Sequence, residues 1–511
     1  MLLRRDLSAA IVIAAATGVV AVLAAGRTYL TFGTESDFVG TFVPAAERVG
    51  TGGPLLLTFH PPLYPVVLAL VRALVGDWMV AGLVISVLAF AAGLGAAYAL
   101  FRLIGLSSAA WGALLALATS PLYVYYGAQA TSDMFFSSLY ALALLLVVRA
   151  WHTGTKGAWL VAGVAIALAT LTRTNGLSLL LLAAAPLVQL SAGRDRFGRT
   201  AAVACGAALT LATWGAVALA TASPLWPTRT GFNLALTYLA PGTDRMSLEA
   251  AATLPDSLPG VGRLLLSQPG MVAHTYARDA ATAIRRVLRG DQLTLLPVGV
   301  LLLPGLVLVF RMMDRRLATV LAVATLAQAA VLNLKAYEPR YFIFALPLIG
   351  AAAAAVVWAV WERLQATGPR VVAVALPAGV AGVVLLGAMA DVRAQLHSQD
   401  AELGEVVPVA RQLLDPGGVL CARNVLLAYY TGAVRARFPT AGTPDELRAG
   451  LARMPGRPLY LFFGSEESRR RPELRSLLRP DSAPPWLRPL AHSRQPGAWV
   501  LYQYAPGAAV D

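Results

Sequence analysis

The sequence predicts a polytopic α-helical membrane protein that carries a small soluble α/β domain at its C-terminus. Of its 511 residues, 57% are hydrophobic and only 13% are charged, which is too apolar for a soluble protein of this length. Residues 1–390 alternate long apolar runs with short gaps that contain arginine, whereas residues 391–511 have mixed polarity. We therefore expect a multispan transmembrane domain over 1–390 and an α/β domain over 391–511.

Apolar runs of about twenty residues define the spans, because a helix rises ~1.5 Å per residue and must cross ~30 Å of hydrocarbon. The sequence contains about eleven such runs, near residues 7–25, 79–101, 109–126, 133–149, 158–172, 176–191, 200–222, 293–310, 317–334, 341–361 and 371–389. A further apolar stretch, Pro61 to Val75, is short and begins with two prolines. We interpret it as an interfacial helix that does not cross the membrane.

The arginines in the short gaps predict the orientation. If the stretch from Pro61 to Val75 does not cross, these arginines, from Arg4 to Arg370, all fall on the side of the N-terminus. The positive-inside rule makes that side the cytoplasm of a bacterial-type inner membrane. The outer side then carries the loops 26–78 and 223–292 and the whole C-terminal domain. Because the net charge of +14 is spread over many gaps, nucleic acid is not an expected partner.

Four short polar motifs fall on the predicted outer side, and polar groups next to apolar helices mark functional sites in membrane proteins. They are Glu35-Ser36-Asp37-Phe38, His60-Pro61-Pro62-Leu63-Tyr64-Pro65, Thr131-Ser132-Asp133-Met134 and Tyr337-Glu338-Pro339-Arg340-Tyr341. In order and spacing they resemble the GT-C superfamily of multispan glycosyltransferases over roughly residues 1–390. The most similar branch contains the protein O-mannosyltransferases and the bacterial aminoarabinose transferase.

This resemblance implies an inverting glycosyltransferase that moves a hexose or pentose from a polyprenyl-phosphate donor to an acceptor hydroxyl. The acceptor would be a lipid, a glycan or a protein on the outer side of the membrane. In that family the first outer loop carries a catalytic acidic residue, and Asp37 takes its place, with Glu35 as the second candidate. Transfer needs a general base for the acceptor hydroxyl and cations for the departing phosphate.

The resemblance and the topology together nominate the residues that would bind the donor phosphate. Arg340, Lys335 and Arg173 are the outer-side cations closest to the ends of apolar helices, and a guanidinium group can hold a phosphate through two parallel hydrogen bonds. Tyr341 follows Arg340 and joins it as a candidate. The cluster Arg278, Arg285, Arg286 and Arg289 in the long loop either adds to this charge or holds membrane lipid headgroups.

The remaining motif residues, His60, Tyr64, Asp133 and Glu338, are candidates for substrate contacts. Simpler interpretations stay open: the two prolines after His60 suit a helix start, and Asp133 or Ser132 is suited to cap the helix that begins there. Asp37 and Asp133 together are a thin ligand set for a divalent ion. Use of a metal therefore stays unresolved, and no other cofactor is indicated.

The main alternative function is a secondary transporter or lipid flippase, since these proteins also combine many spans with charges inside the membrane. Transporters usually show two similar halves, and the sequence shows no such repeat. The C-terminal region alternates helical and strand-like segments, which predicts a small sheet with parallel pairing. It contains no glycine-rich phosphate loop, so we expect it to serve stability, acceptor docking or partner binding.

Overall fold

The chain divides into two compact units in a computed structural model. The structure describes residues 2–27, 35–49, 60–189, 193, 195–227, 263, 266–289, 301–334, 338–367, 379, 386, 390, 401–436, 438–439, 441–456, 458–495 and 497–506. The first unit comprises Met1–Gly26, Thr41–Ala250 and Pro255–His397. The second comprises Arg27–Gly40, Ala251–Leu254 and Ser398–Asp511. The segment that carries Glu35 and Asp37 therefore belongs to the same unit as the C-terminal region.

Helices build the described part of the first unit. In chain order they are α1 Leu2–Ala25, α2 Val43–Glu47, α3 Leu63–Val75, α4 Trp78–Leu103, α5 Ser107–Thr119, α6 Pro121–Gly127, α7 Ser132–Thr153, α8 Lys156–Thr172, α9 Ala185–Val188, α10 Arg196–Ala220, α11 Pro269–Arg289, α12 Leu302–Met312, α13 Arg315–Asn333 and α14 Leu346–Thr367. A π-helical turn covers Phe38–Phe42, and 3₁₀ segments cover Thr174–Ala184 and Pro339–Ala345.

The chain is a multi-pass membrane protein. Six helices among the described residues are long and apolar enough to cross a membrane, by length and composition: Asp6–Ala25, Trp78–Leu103, Ser132–Thr153, Arg196–Ala220, Arg315–Asn333 and Pro339–Ala366. In their described parts, ten of the predicted runs fall on helical segments, four of them on shorter apolar helices. The last predicted run, 371–389, lies almost entirely outside the described residues. The predicted number of eleven spans is therefore not confirmed.

Two predicted runs are interrupted within their length. The run 109–126 is split between α5 and α6 because Pro121 has no N–H to donate and starts a new helix. The side chain of Ser120 caps that helix by accepting from the Tyr123 amide at 3.3 Å. The run 176–191 consists of the 3₁₀ segment followed by α9 rather than one α-helix. The stretch interpreted as interfacial forms α3, which ends at Gly76 in the left-handed conformation that suits glycine.

Helices α8 and α10 pack backbone against backbone through two glycines. A Cβ atom added to Gly163 would lie 2.1 Å from the Val203 carbonyl oxygen, and one added to Gly206 would lie 2.1 Å from the Leu160 carbonyl oxygen. Small residues at such crossings allow close van der Waals packing, which stabilises helix pairs in membranes. Any side chain at either position would force the two helices apart.

We expect Gly163→Val to destabilise the protein, because overpacking at a buried site typically costs about 1–3 kcal/mol. Gly215→Val is the matched control, since it lies on α10 and an added Cβ there meets nothing within 4 Å. Thermal unfolding of the detergent-purified variants should show a lower Tm for Gly163→Val only. Equal Tm values for the two variants would contradict the close packing.

A mixed five-stranded sheet forms the centre of the second unit. Its strands are β1 Val419–Cys421, β2 Val434–Ala436, β3 Leu459–Gly464, β4 Leu487–His492 and β5 Trp499–Tyr504, in the order β2-β1-β3-β5-β4. The predicted parallel pairing holds for β1 with β2 and with β3. It is wrong for β5, which pairs antiparallel with β3 and β4. Only residues 493–498 connect β4 to β5. Because parallel strands need a crossover of about a dozen residues or more, this short link permits only antiparallel pairing of β4 with β5.

The sheet is covered by helices α15 Ala401–Leu413, α16 Val425–Thr431, α17 Pro444–Ala452 and α18 Ser465–Arg470. The helical stretch after β3 is divided into α18 and a 3₁₀ segment, Pro472–Leu478, since Pro472 cannot continue the α-helical hydrogen bonding. The core contains Leu459, Leu461 and Phe463 from β3 and Val500 and Tyr502 from β5, all buried. Every residue of β3 is buried, so both faces of this central strand are covered by the rest of the unit.

Candidate functional site

Thr131 caps α7 and orients the carboxylate of Asp133. The Thr131 hydroxyl accepts from the Asp133 amide at 3.2 Å and donates to Asp133 Oδ2 at 3.0 Å. The prediction that Asp133 or Ser132 caps this helix is therefore wrong, because Thr131 is the residue with the extended backbone that a cap requires. Asp133 instead lies in the first turn, where the helix dipole favours a negative charge.

Arg173 forms an ion pair with Asp133 across two helices. It has an extended backbone between the end of α8 and the 3₁₀ segment Thr174–Ala184. Its Nη1 donates to Asp133 Oδ1 and lies 3.4 Å from Ser132 Oγ. The side chains of Arg173 and Asp133 are only 14% and 5% exposed. Loss of either partner would leave the other charge nearly buried and uncompensated, which is costly.

Arg340 forms a second ion pair at the start of the 3₁₀ segment Pro339–Ala345. Its Nε donates to Glu338 Oε2, and its Nη2 lies 3.4 Å from the Tyr341 hydroxyl. The guanidinium carbons of Arg340 and Arg173 lie 5.1 Å and 5.5 Å from the centroid of the Tyr341 ring. Both distances are in the range of cation–π contacts. Tyr341 therefore joins the two ion pairs into one cluster.

A small pocket of about 240 Å³, counted with its open mouth, lies at this cluster. Its walls are Asp133, Phe136, Ser137, Arg173, Asn175, Arg340, Tyr341, Ile343 and Phe344. Two arginines and one aspartate are among the lining residues, so the charged side chains of the lining have a net positive charge. A second pocket of about 730 Å³, counted in the same way, is almost wholly apolar and shares Ser137 and Phe344 with the first.

His60 and Tyr64 belong to an aromatic cluster that also contacts α7. The Phe42 ring lies 4.5 Å from the His60 ring and 4.9 Å from the Tyr64 ring, between centroids. The Tyr64 ring lies 6.0 Å from that of Phe135, which follows Asp133 by two residues. Tyr64 is fully buried. The helix start predicted at the two prolines is present, since Pro62 directly precedes α3.

Glu35 and Asp37 lie in the second unit, on the segment Arg27–Gly40. They precede the π-helical turn, and Phe38 at its start is fully buried. A Cβ atom added to Gly40 would lie 3.3 Å from Arg435 Nη1 and 3.7 Å from Val425. Within the second unit, this segment therefore packs against β2 and α16. Lys335 and Tyr337 are outside the described residues.

Comparisons with known proteins show which fold this arrangement belongs to. A family model described as dolichyl-phosphate-mannose-protein mannosyltransferase matches residues 59–220. The chain is similar to the crystal structure of ArnT from Cupriavidus metallidurans bound to undecaprenyl phosphate, with 16% identity and a TM-score of 0.59 over 98% of this chain and 99% of that one. No curated protein matches the sequence.

A second similar structure is the Archaeoglobus fulgidus oligosaccharyltransferase, tethered to an acceptor peptide, with 11% identity and a TM-score of 0.56. The match covers 89% of this chain and 69% of that one. The chain has the GT-C glycosyltransferase fold. The GT-C resemblance stated from the four motifs is thereby confirmed, and the match to ArnT extends over both units. The family model includes His60, Tyr64, Asp133 and Arg173 but ends before Arg340.

Several residues that line the pocket were not predicted from the sequence. Phe136 and Ser137 follow Asp133 by three and four residues, so helical periodicity places them on the same face of α7, and that signal was available. Asn175, Ile343 and Phe344 belong to 3₁₀ segments, where the apolar pattern gives no comparable signal. Among the described residues, no group of three or more His, Cys, Asp or Glu side chains is arranged to hold a metal ion.

Proposed function

We propose that this protein is an inverting glycosyltransferase that moves a sugar from a polyprenyl-phosphate donor to an acceptor hydroxyl on the outer side of a bacterial-type inner membrane. The observation that carries the proposal is the pair of arginines, Arg173 and Arg340, on the wall of one small pocket that adjoins a larger apolar one. The two pockets match the two chemical parts of such a donor, its phosphate and its hydrocarbon chain. The GT-C fold supports this assignment, and the similar ArnT structure is bound to undecaprenyl phosphate.

The carboxylates next to the arginines hold the guanidinium groups in place for the phosphate. Within the described residues, the hydrogen bonds of the Arg173 side chain all use Nη1. Its Nε and Nη2 atoms therefore keep their N–H groups for a ligand. The leaving phosphate gains negative charge as the glycosidic bond breaks, so cations fixed beside it stabilise the transition state more than the ground state. Lys335 remains a third proposed contact to the phosphate.

The acceptor side of the reaction needs a base. In our proposal an acceptor oxygen attacks the anomeric carbon from the face opposite the phosphate, and the bond between that carbon and the phosphate oxygen breaks. The phosphate leaves with the electron pair, and Asp37 takes the hydroxyl proton, with Glu35 as its neighbour. Attack from the opposite face inverts the anomeric configuration.

The remaining motif residues have supporting roles in this proposal. His60 and Tyr64 lie on the aromatic cluster that packs against the first turn of α7, so we assign them to the sugar or the acceptor. Asp133 and Glu338 contribute to substrate binding indirectly, because their ion pairs hold Arg173 and Arg340 in position. Tyr341 fixes the arginines relative to each other through its ring.

Binding of polyprenyl phosphate to the purified protein tests the donor assignment. At a concentration of about 100 Kd, a ligand specific for the native state adds about 2.7 kcal/mol to the free energy of unfolding. We expect polyprenyl phosphate to raise the Tm clearly, and the matching polyprenyl alcohol, which has the same chain without the phosphate, to raise it much less. An equal effect of the two lipids would mean that the pocket does not recognise the phosphate.

A further inference from the structure

Helix α11, Pro269–Arg289, is fixed to the end of a membrane-spanning helix by one of its faces. Val272, Thr275, Asp279 and Ala283 are buried on that face. The Tyr276 hydroxyl donates to the Ala330 carbonyl at 3.3 Å, and Asn333 Nδ2 donates to the Tyr276 carbonyl at 3.0 Å. Because α13 ends at Asn333, the contact holds α11 at the level where α13 leaves the membrane.

The two other faces of α11 differ sharply in chemistry. One carries the apolar residues Ala273, Ala277, Ala280, Ile284 and Leu288, and the other carries His274, Arg278, Arg285 and Arg289. At about 100° per residue, the packed, apolar and basic faces lie about a third of a turn apart. Ile284 is 61% exposed. Ala273 and Ala277 are exposed as well, so most of the apolar face is not covered by the described residues. An exposed apolar face beside a cationic face is typical of helices that lie in a membrane interface.

The basic face keeps a surplus of positive charge. The helix contains four arginines and a single acidic residue, Asp279. Asp279 is nearly buried and pairs with Arg278 at 3.0 Å. Arg285 and Arg289 are exposed and are four residues apart, so their side chains are neighbours on the helix surface. Two adjacent guanidinium groups at headgroup level are suited to bind phosphate groups of lipids.

We propose that α11 lies in the membrane interface and that Arg285 and Arg289, with Arg278 beside them, bind the headgroups of anionic phospholipids. The apolar face enters the region of the acyl chains, and the packed face ties the helix to α13. This site is separate from the pocket at Arg173 and Arg340, and the inference does not depend on the proposed transferase activity. The proposed site binds bulk membrane lipid, so the experiment measures lipid preference and not the rate of sugar transfer.

A fluorescent reporter on the full-length protein tests the proposal. Ala281 is exposed on α11, and Ala281→Cys provides the labelling site. Cys205 is exposed and is replaced by alanine. Cys421 is retained, because burial raises the pKa of its thiol and a buried thiol is unreactive. The labelled protein is reconstituted in phosphatidylcholine vesicles that contain spin-labelled phosphatidylglycerol or, in parallel, equally spin-labelled phosphatidylcholine, and quenching is compared.

We expect phosphatidylglycerol to quench the reporter more strongly, and high salt to reduce the difference. Arg285→Gln with Arg289→Gln should reduce the preference by about fivefold or more, whereas Arg285→Lys with Arg289→Lys should largely retain it. The control, Arg448→Gln with Arg475→Gln, removes two exposed charges from the second unit and should retain the preference. Equal quenching by both lipids, no quenching by either, or an unchanged preference in the glutamine variant would overturn the proposal.

Discussion

Asp37→Asn should lower kcat for sugar transfer by about 10²–10⁴-fold, the usual effect of removing a general base. Asparagine keeps the size of the side chain and most of its hydrogen-bonding capacity but cannot accept the hydroxyl proton. Because Asp37 has no proposed contact with the donor phosphate, the Kd for polyprenyl phosphate should stay near the wild-type value. Steady-state kinetics and a binding measurement on the same purified variant separate the two quantities.

Glu35→Gln is the internal control for this prediction. It removes a negative charge two residues away on the same segment, so a loss specific to Asp37 identifies the position rather than the local charge. If Asp37→Asn transfers sugar at nearly the wild-type rate while Glu35→Gln is inactive, Glu35 is the base. If both variants keep their activity, the first loop is not the catalytic loop.

Arg340→Lys should weaken donor binding although it conserves the positive charge. A lysine ammonium lacks the planar fork with which arginine holds both a carboxylate and a phosphate. In the structure Arg340 donates from Nε to Glu338 and contacts both the ring and the hydroxyl of Tyr341. A lysine cannot reproduce these three contacts. A hydrogen bond to a charged group contributes about 1.5–3 kcal/mol, so we expect the Kd for polyprenyl phosphate to rise by about tenfold or more.

Arg316→Lys is the matched control for Arg340→Lys, since Arg316 is exposed in the first turn of α13. It should bind the lipid like the wild type. Arg340→Ala extends the series and should bind more weakly still, with Glu338 left without its ion-pair partner. An unchanged Kd in Arg340→Ala would remove Arg340 from the donor site and leave Arg173 and Lys335 as the candidate cations.

The helices could largely be predicted from the sequence because each apolar run is long and is bounded by polar residues. Interruptions at Pro121 and Pro472 were also visible in principle, since proline cannot continue a helical hydrogen-bond ladder. The pairing of β4 and β5 was missed because strand and helix segments alternate up to β3, which favours a parallel sheet. The short link 493–498, which permits only a hairpin, was the overriding signal.

The candidate site was predicted as separate residues but not as a cluster. Asp133 and Arg173 are forty residues apart, and no local pattern indicates that the turn after α8 meets the first turn of α7. The sequence nominates Tyr341 only as the neighbour of Arg340, whereas its contact with Arg173 depends on how three helical segments pack. The helix cap showed the same limit, because Thr131, Ser132 and Asp133 all suit an N-cap and only the backbone conformation distinguishes them.

The most direct measurement of the proposed function is the release of free polyprenyl phosphate by the purified protein. A panel of polyprenyl-phosphate sugars, both hexoses and pentoses, is incubated with the protein and with glycan, lipid and protein acceptors in parallel. The proposed function predicts that at least one donor yields polyprenyl phosphate together with a glycosylated acceptor of inverted anomeric configuration, and that Asp37→Asn suppresses both products. Intact donors across the whole panel, or passage of a donor across the membrane without cleavage of its sugar–phosphate bond, would contradict it.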